Sequence, residues 1–188
     1  MQEERHIYGH NEDEVWQQVT ADLTQNPDLL QYRAVIHQQN KEILLDIDID
    51  LGGGFEGGYA TTIISAPFSN SQGFRFIFHE ESFFDDLGKF FGMQDVEIGY
   101  PEFDDRIIVK TTDEARVRTI LSDDTIREVL ITLKDFTFEV VLPDDDDTQN
   151  NHSRLELIIE EGITDPARLR TLYNIFFRTL NLIDPFSL

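Results

Sequence analysis

The sequence predicts an α+β fold: a largely antiparallel sheet of about six or seven strands packed by about four or five helices, one of them C-terminal. Three observations carry this expectation. Apolar residues alternate at period two in several short runs. Other runs repeat at helical spacing behind recognisable caps. The period-two runs come in groups instead of alternating strictly with helices, which argues against a parallel βαβ sheet and puts the helices on one face.

The first helix is signalled at Asn11, where Glu14 three residues on completes a capping-box pattern. Val15, Trp16, Val19 and Leu23 then recur on one stripe, and Asn26-Pro27 ends the run. Residues 32–37 and 42–51 flank Gln38-Gln39-Asn40-Lys41 and read as a hairpin. In its second strand Ile43, Leu45, Ile47, Ile49 and Leu51 share one parity and Asp46, Asp48 and Asp50 the other, so a buried apolar face and a wet acidic face are expected. The glycines at 52–54 and 57–58 break that strand before another near 59–66.

Phe74, Phe76 and Phe78 form a ladder at period two, read as core. Ser82 with Asp85 predicts a short helix carrying Phe83, Phe84, Leu87, Phe90 and Phe91, stopped by Gly92. Residues 106–111 read as a strand, Asp113 as the start of a short helix and Ser122 as the start of the next. Phe136 to Leu142 and Leu155 to Ile159 alternate as strands around an acidic loop at 143–153, expected to be mobile. The last helix opens at Thr164/Asp165 with Pro166 in its first turn and carries Leu169, Leu172, Tyr173, Phe176, Phe177, Leu180 and Ile183 on one face.

A chain of 188 residues with 40% hydrophobic side chains suits one domain spanning 1–188 with its own core. The formal charge of −22 repels phosphate backbones, since nucleic-acid affinity needs Lys and Arg to displace counterions. Nucleic acid is therefore not an expected partner; a protein with a basic surface is. With no cysteine, thiolate metal sites and thiol catalysis are excluded and a reducing compartment is favoured. The polar opening Met1-Gln2-Glu3-Glu4-Arg5-His6 and the absence of any long apolar run point to a cytoplasmic chain without membrane insertion.

Asp46-x-Asp48-x-Asp50 has the start of an EF-hand loop but not its glycine or its closing glutamate. Alternate residues on one strand face also stand about 6.6 Å apart, too far to close together on one calcium ion. His6 and His10 have i,i+4 spacing, but Gly9 between them weakens the helix such a pair would need. His79-Glu80-Glu81 lacks the second histidine of a zinc protease motif. No metal and no cofactor are expected, and no catalytic residue is assigned.

The segment from Gly92 to Arg106 is different: irregular, rich in carboxylates and set between strongly patterned elements. Asp105 shares the parity of Ile107 and Val109, which points it inward. Asp95, Glu97, Tyr100, Glu102, Asp104 and Arg106 are the candidate binding residues, because irregular backbone held between packed elements is where binding side chains collect. The bland reading is a turn whose aspartates satisfy backbone N–H groups. The run Gly92-x-Gln94-Asp95-x-x-x-Gly99-x-Pro101-x-Phe103-Asp104-x-x-Ile107-x-Val109-Lys110-x-x-Asp113 resembles a segment of a bacterial domain family of unknown function, best over residues 88–121 and more loosely over 59–183. That resemblance implies a bacterial cytosolic module and transfers no catalytic residue.

The functional expectation is a non-enzymatic interaction or regulatory module. Two alternatives stand beside it: a carboxylate-based, metal-dependent hydrolase, and an acidic decoy or immunity-type protein that blocks a basic partner. Oligomeric state is not readable from the sequence.

Overall fold

The computed structural model describes residues 5–53, 57–80, 92–143 and 152–185. Among them nine strands form one sheet in the order β1-β2-β3-β4-β9-β8-β5-β7-β6. The strands are β1 (Arg5–Gly9), β2 (Gln31–Gln38), β3 (Lys41–Asp50), β4 (Tyr59–Phe68), β5 (Phe76–Glu80), β6 (Gln94–Asp95), β7 (Ile107–Thr111), β8 (Phe136–Val141) and β9 (Ser153–Ile159). The helices are α1 (Glu12–Gln25), α2 (Pro101–Asp104), α3 (Glu114–Ile120), α4 (Asp124–Leu130) and α5 (Pro166–Ile183).

Every pairing is antiparallel except β1 with β2, which α1 joins as a crossover. Nine strands exceed the expected six or seven, and β1 and β6 account for the excess. Neither is legible as a period: β1 buries only Ile7 fully, and β6 has two residues, both exposed. The predicted helix at 82–91, the acidic run Asp144–Asp147 and residues 54–56 of the glycine loop lie outside the described residues.

The register turns the alternation seen in the sequence into one continuous wall. Ala34, Leu45, Ile64, Leu157, Phe138, Phe78 and Val109 stand side by side across seven strands, and all are buried. The buried stripes of α1, α3, α4 and α5 close over that face in a single core. Phe138 is its aromatic centre, meeting Phe76 and Phe78 edge-on and Phe176 of α5 at 6.0 Å. On the opposite face the matching row reads Arg33, Asp46, Ile63, Ile158, Thr137, His79 and Ile108.

Local chemistry fixes the helix starts where the sequence puts them. The Asn11 carboxamide oxygen accepts from the Glu14 N–H at 3.0 Å, Asp113 accepts from the Arg116 N–H at 3.1 Å, and Asp165 accepts from the Arg168 N–H at 2.8 Å. α4 differs by one residue: Asp123, not Ser122, is its cap, because the Ser122 hydroxyl donates back to the Thr119 carbonyl. Arg170 of α5 reaches Glu12 and Asp13 in the first turn of α1, and Arg178 reaches Asp123 at the start of α4. Burial works to raise the Asp123 pKa, but the hydrogen bond and charge of Arg178, with the Thr125 and Ile126 amides, outweigh it and hold the carboxyl below its usual range.

A buried polar pair anchors the far end of α5. The Lys41 ammonium donates to the Asp184 carboxylate at 2.8 Å and to its backbone carbonyl at 2.5 Å, and both side chains are more than nine-tenths buried. Beside it the Tyr173 hydroxyl donates to Gln38 at 2.8 Å. The residues between, Gln39 and Asn40, make the β2–β3 turn, with Gln39 at φ 51.

Candidate functional site

The segment from Gly92 to Arg106 runs along the β6 edge of the sheet. Gly99, at φ 95, makes the reversal that any side chain would strain. Pro101 then opens α2, whose Phe103 plugs into the core. The Asp104 carboxylate folds back over this reversal and accepts from the Ile98 N–H at 2.9 Å and the Gly99 N–H at 2.7 Å. Asp104 therefore holds the loop closed, as the turn reading anticipates. Asp105 is exposed at the C-cap of α2, not inward-pointing, because the strand begins only at Ile107 and its parity does not extend back.

Three cations tie the same segment down. Arg118 of α3 donates to the Glu97 and Ile98 carbonyls at 2.8 Å each. The Arg127 guanidinium lies 3.6 Å over the Tyr100 ring, within range of a cation–π contact. Lys110 of β7 meets the Asp95 carboxylate at 2.6 Å. Arg106 sits 4.0 Å from Glu80. The backbone is thus fixed, and the side chains of Asp95, Glu97, Glu102 and Arg106 face solvent from it, with Tyr100 42% exposed. Asp104 and the Tyr100 face under Arg127 serve the loop itself.

On the neighbouring strand β5 lies His79, buried, with Thr137 and Ile108 in register on either side. Burial is the main cause that pushes its pKa below the ordinary 6.5; a bond to the Glu80 carbonyl and the charge of Asp95 work upward, and that of Lys110 downward. A histidine kept neutral by the fold contributes stability that is complete above about pH 6.5 and is lost as pH falls through its folded value. Replacing His79→Gln is expected to shrink the difference in urea-unfolding free energy between about pH 7.5 and 5.5. An unchanged difference would show that His79 does not titrate with unfolding.

A second surface is not legible in the sequence. An open groove of about 910 Å³ runs between the α1–β2 connection and the end of β3. Its lining includes Asp28, Leu30, Asp48, Asp50, Leu51 and Tyr59. Leu51 shares parity with the buried Ile43, Leu45 and Ile47 and is expected inside, yet it is 75% exposed. The strand ends at Asp50, whose carboxylate accepts from the Gly52 N–H at 2.8 Å and turns the chain outward. Leu30 is 45% and Tyr59 54% exposed.

Asp48 and Asp50 of the groove are held in place. Asp48 accepts from Gln31 at 3.0 Å and from the Tyr59 hydroxyl at 2.8 Å, and these two bonds lower its pKa. Across β3, Asp46 pairs with Arg33 at 2.8 Å. The three aspartates of this strand are thus spent separately, on Arg33, on Gln31 and Tyr59, and on Gly52. Among the described residues no group of three or more His, Asp or Glu side chains converges as a metal cage would require. No helix among them is long and apolar enough to cross a membrane. Comparison with protein-family models, with curated proteins and with solved structures returns no match.

Proposed function

We propose that the chain is a non-enzymatic interaction module that binds a basic protein segment. The supporting observation is the composition of the groove. Of the seven large hydrophobic side chains exposed among the described residues, Leu30, Leu51 and Tyr59 line this groove, together with Asp28, Asp48 and Asp50. Apolar side chains open to water beside carboxylates, two of them fixed, suit a ligand that carries aliphatic residues between lysines or arginines: burial supplies affinity and charge supplies selectivity and rate. The net charge of −22 steers such a ligand inward from long range. The rigid surface of Asp95, Glu97, Glu102, Arg106 and the open part of Tyr100, presented by the loop that Asp104 closes, is a second contact area in the same reading. A cytoplasmic setting rests on the cysteine-free composition.

The test is a titration by fluorescence anisotropy with a labelled lysine–leucine peptide and with its glutamate–leucine counterpart. Selective binding of the basic peptide is expected, weakened at least about tenfold by Leu51→Ser combined with Tyr59→Ser, and made less salt-sensitive by Asp28→Asn combined with Asp50→Asn. Loss only in Tyr100→Ala and Glu102→Lys would move the site to the β6 edge. Equal binding of both peptides, or of neither, would overturn the reading.

A further inference from the structure

Sequence spacing draws attention to His6 and His10, but the sheet brings His6 beside a different histidine. The parallel register of β1 and β2 sets Tyr8 opposite His37 and His6 opposite Val35, so His6 and His37 are diagonal neighbours on the face away from Ile7 and Ile36. Nδ1 of His6 lies 3.0 Å from Nε2 of His37. The ring centroids are 5.4 Å apart and the planes 17° from parallel. That centroid separation exceeds the nitrogen–nitrogen distance by about one ring diameter, so the rings meet end to end, each nitrogen aimed at the other.

We propose that this pair is a two-imidazole site for a borderline divalent metal ion of the zinc, copper and nickel class. Two imidazoles facing in this way share one proton, one ring donating and the other accepting. A metal ion can take that proton's place once the donating ring shifts to its other tautomer, the proton moving to the ring nitrogen turned away from the pair, so that both facing nitrogens offer lone pairs. Tetrahedral zinc with bonds of about 2.0–2.1 Å needs its two nitrogens roughly 3.3–3.4 Å apart and each lone pair about 35° off the line between them, an opening of a few tenths of an ångström together with a tilt of each ring. Imidazole favours these ions, whereas calcium and magnesium prefer oxygen.

The surroundings suit the assignment. Glu42 of β3 stands opposite His37, with its carboxylate 3.9 Å from Nδ1, the nitrogen turned away from His6. A metal-bound histidine commonly donates its outer N–H to a carboxylate, which fixes the tautomer and strengthens the ligand; at 3.9 Å Glu42 stands outside direct hydrogen-bond range and would close in to fill that role. Tyr8 stacks on His37 with centroids 4.5 Å apart and planes 8° from parallel, which fixes the plane of the ring. Two protein ligands leave room for water to complete the coordination shell. The bound ion would span β1 and β2, clamping the parallel edge strand to the sheet.

The inference is independent of the acidic groove and is tested without it. Zinc is titrated calorimetrically into the full chain, with excess magnesium present to occupy exposed carboxylates. One zinc ion per chain is expected, with affinity lowered at least about tenfold in His6→Gln and in His37→Gln, lowered less in Glu42→Gln, and unchanged in His10→Gln. Imidazole nitrogen chemical shifts of His6 and His37 should move together on zinc addition in the unmodified chain, a readout that needs no variant. No saturable binding, binding as tight as the parent's in His6→Gln and in His37→Gln, or shifts confined to other histidines would overturn the proposal and leave a hydrogen bond alone.

Discussion

Truncating Phe176→Ala is expected to cost about 3–5 kcal/mol of unfolding free energy, the largest effect of any single side chain on α5. Phe176 is fully buried and stacks 6.0 Å from Phe138, which in turn meets Phe76 and Phe78. Its removal opens a void between the last helix and the middle of the sheet, and rigid neighbours on both sides cannot collapse into it. With total stabilities of roughly 5–15 kcal/mol for ordinary domains, the variant should unfold at a far lower urea midpoint. A midpoint within experimental error of the parent would mean that α5 does not seal the core.

A comparable loss, about 3–5 kcal/mol, is expected from Lys41→Ala, for a different reason. The Asp184 carboxylate is 8% exposed and receives the Lys41 ammonium at 2.8 Å. Removing the lysine takes the ammonium away from a buried carboxylate, and the cost of keeping that carboxylate in a dry site exceeds the attraction lost. The double replacement Lys41→Met with Asp184→Leu should recover most of the loss, since an apolar pair leaves no buried charge, only the Asp184 backbone carbonyl without its lysine donor. If the double variant is as unstable as the single one, the contact matters through shape instead of charge. Urea unfolding of the three chains separates these outcomes.

What the sequence reveals and what it hides follow from the range over which each signal acts. Asn11, Asp113 and Asp165 cap their helices through bonds to amides three residues away, so local spacing is sufficient to find them. The Phe ladder and the α5 stripe are legible because period two and period 3.6 each mark a face. Strand β1 is hidden because one buried isoleucine makes no period. Leu51 misleads because alternation continues in the sequence after the strand has ended. In the candidate segment the turn reading anticipates aspartates bonded to backbone N–H groups, but which aspartate does so is hidden: Asp104 takes the Ile98 and Gly99 amides while Asp105, placed inward by parity, stays exposed. Lys41 with Asp184, and His6 with His37, depend on contacts between distant parts of the chain and leave no local trace.

The strand order has a consequence for how the chain is made. β4 and β5 are consecutive in the sequence, ending at Phe68 and beginning at Phe76, yet in the sheet β9 and β8 lie between them. The filler hairpin is completed only at Ile159, some 80 residues after β5 leaves the ribosome, which at about 5–20 residues per second is several seconds. During that interval β4 and β5 each lack the hairpin strand that later covers one edge. An uncovered edge beside apolar side chains is a template for pairing with another chain. Loop closure over such distances also slows the search for the native sheet. Emergence of β8 and β9 is therefore the step at which productive folding and self-association compete, and a nascent chain stalled before Phe136 carries both edges open.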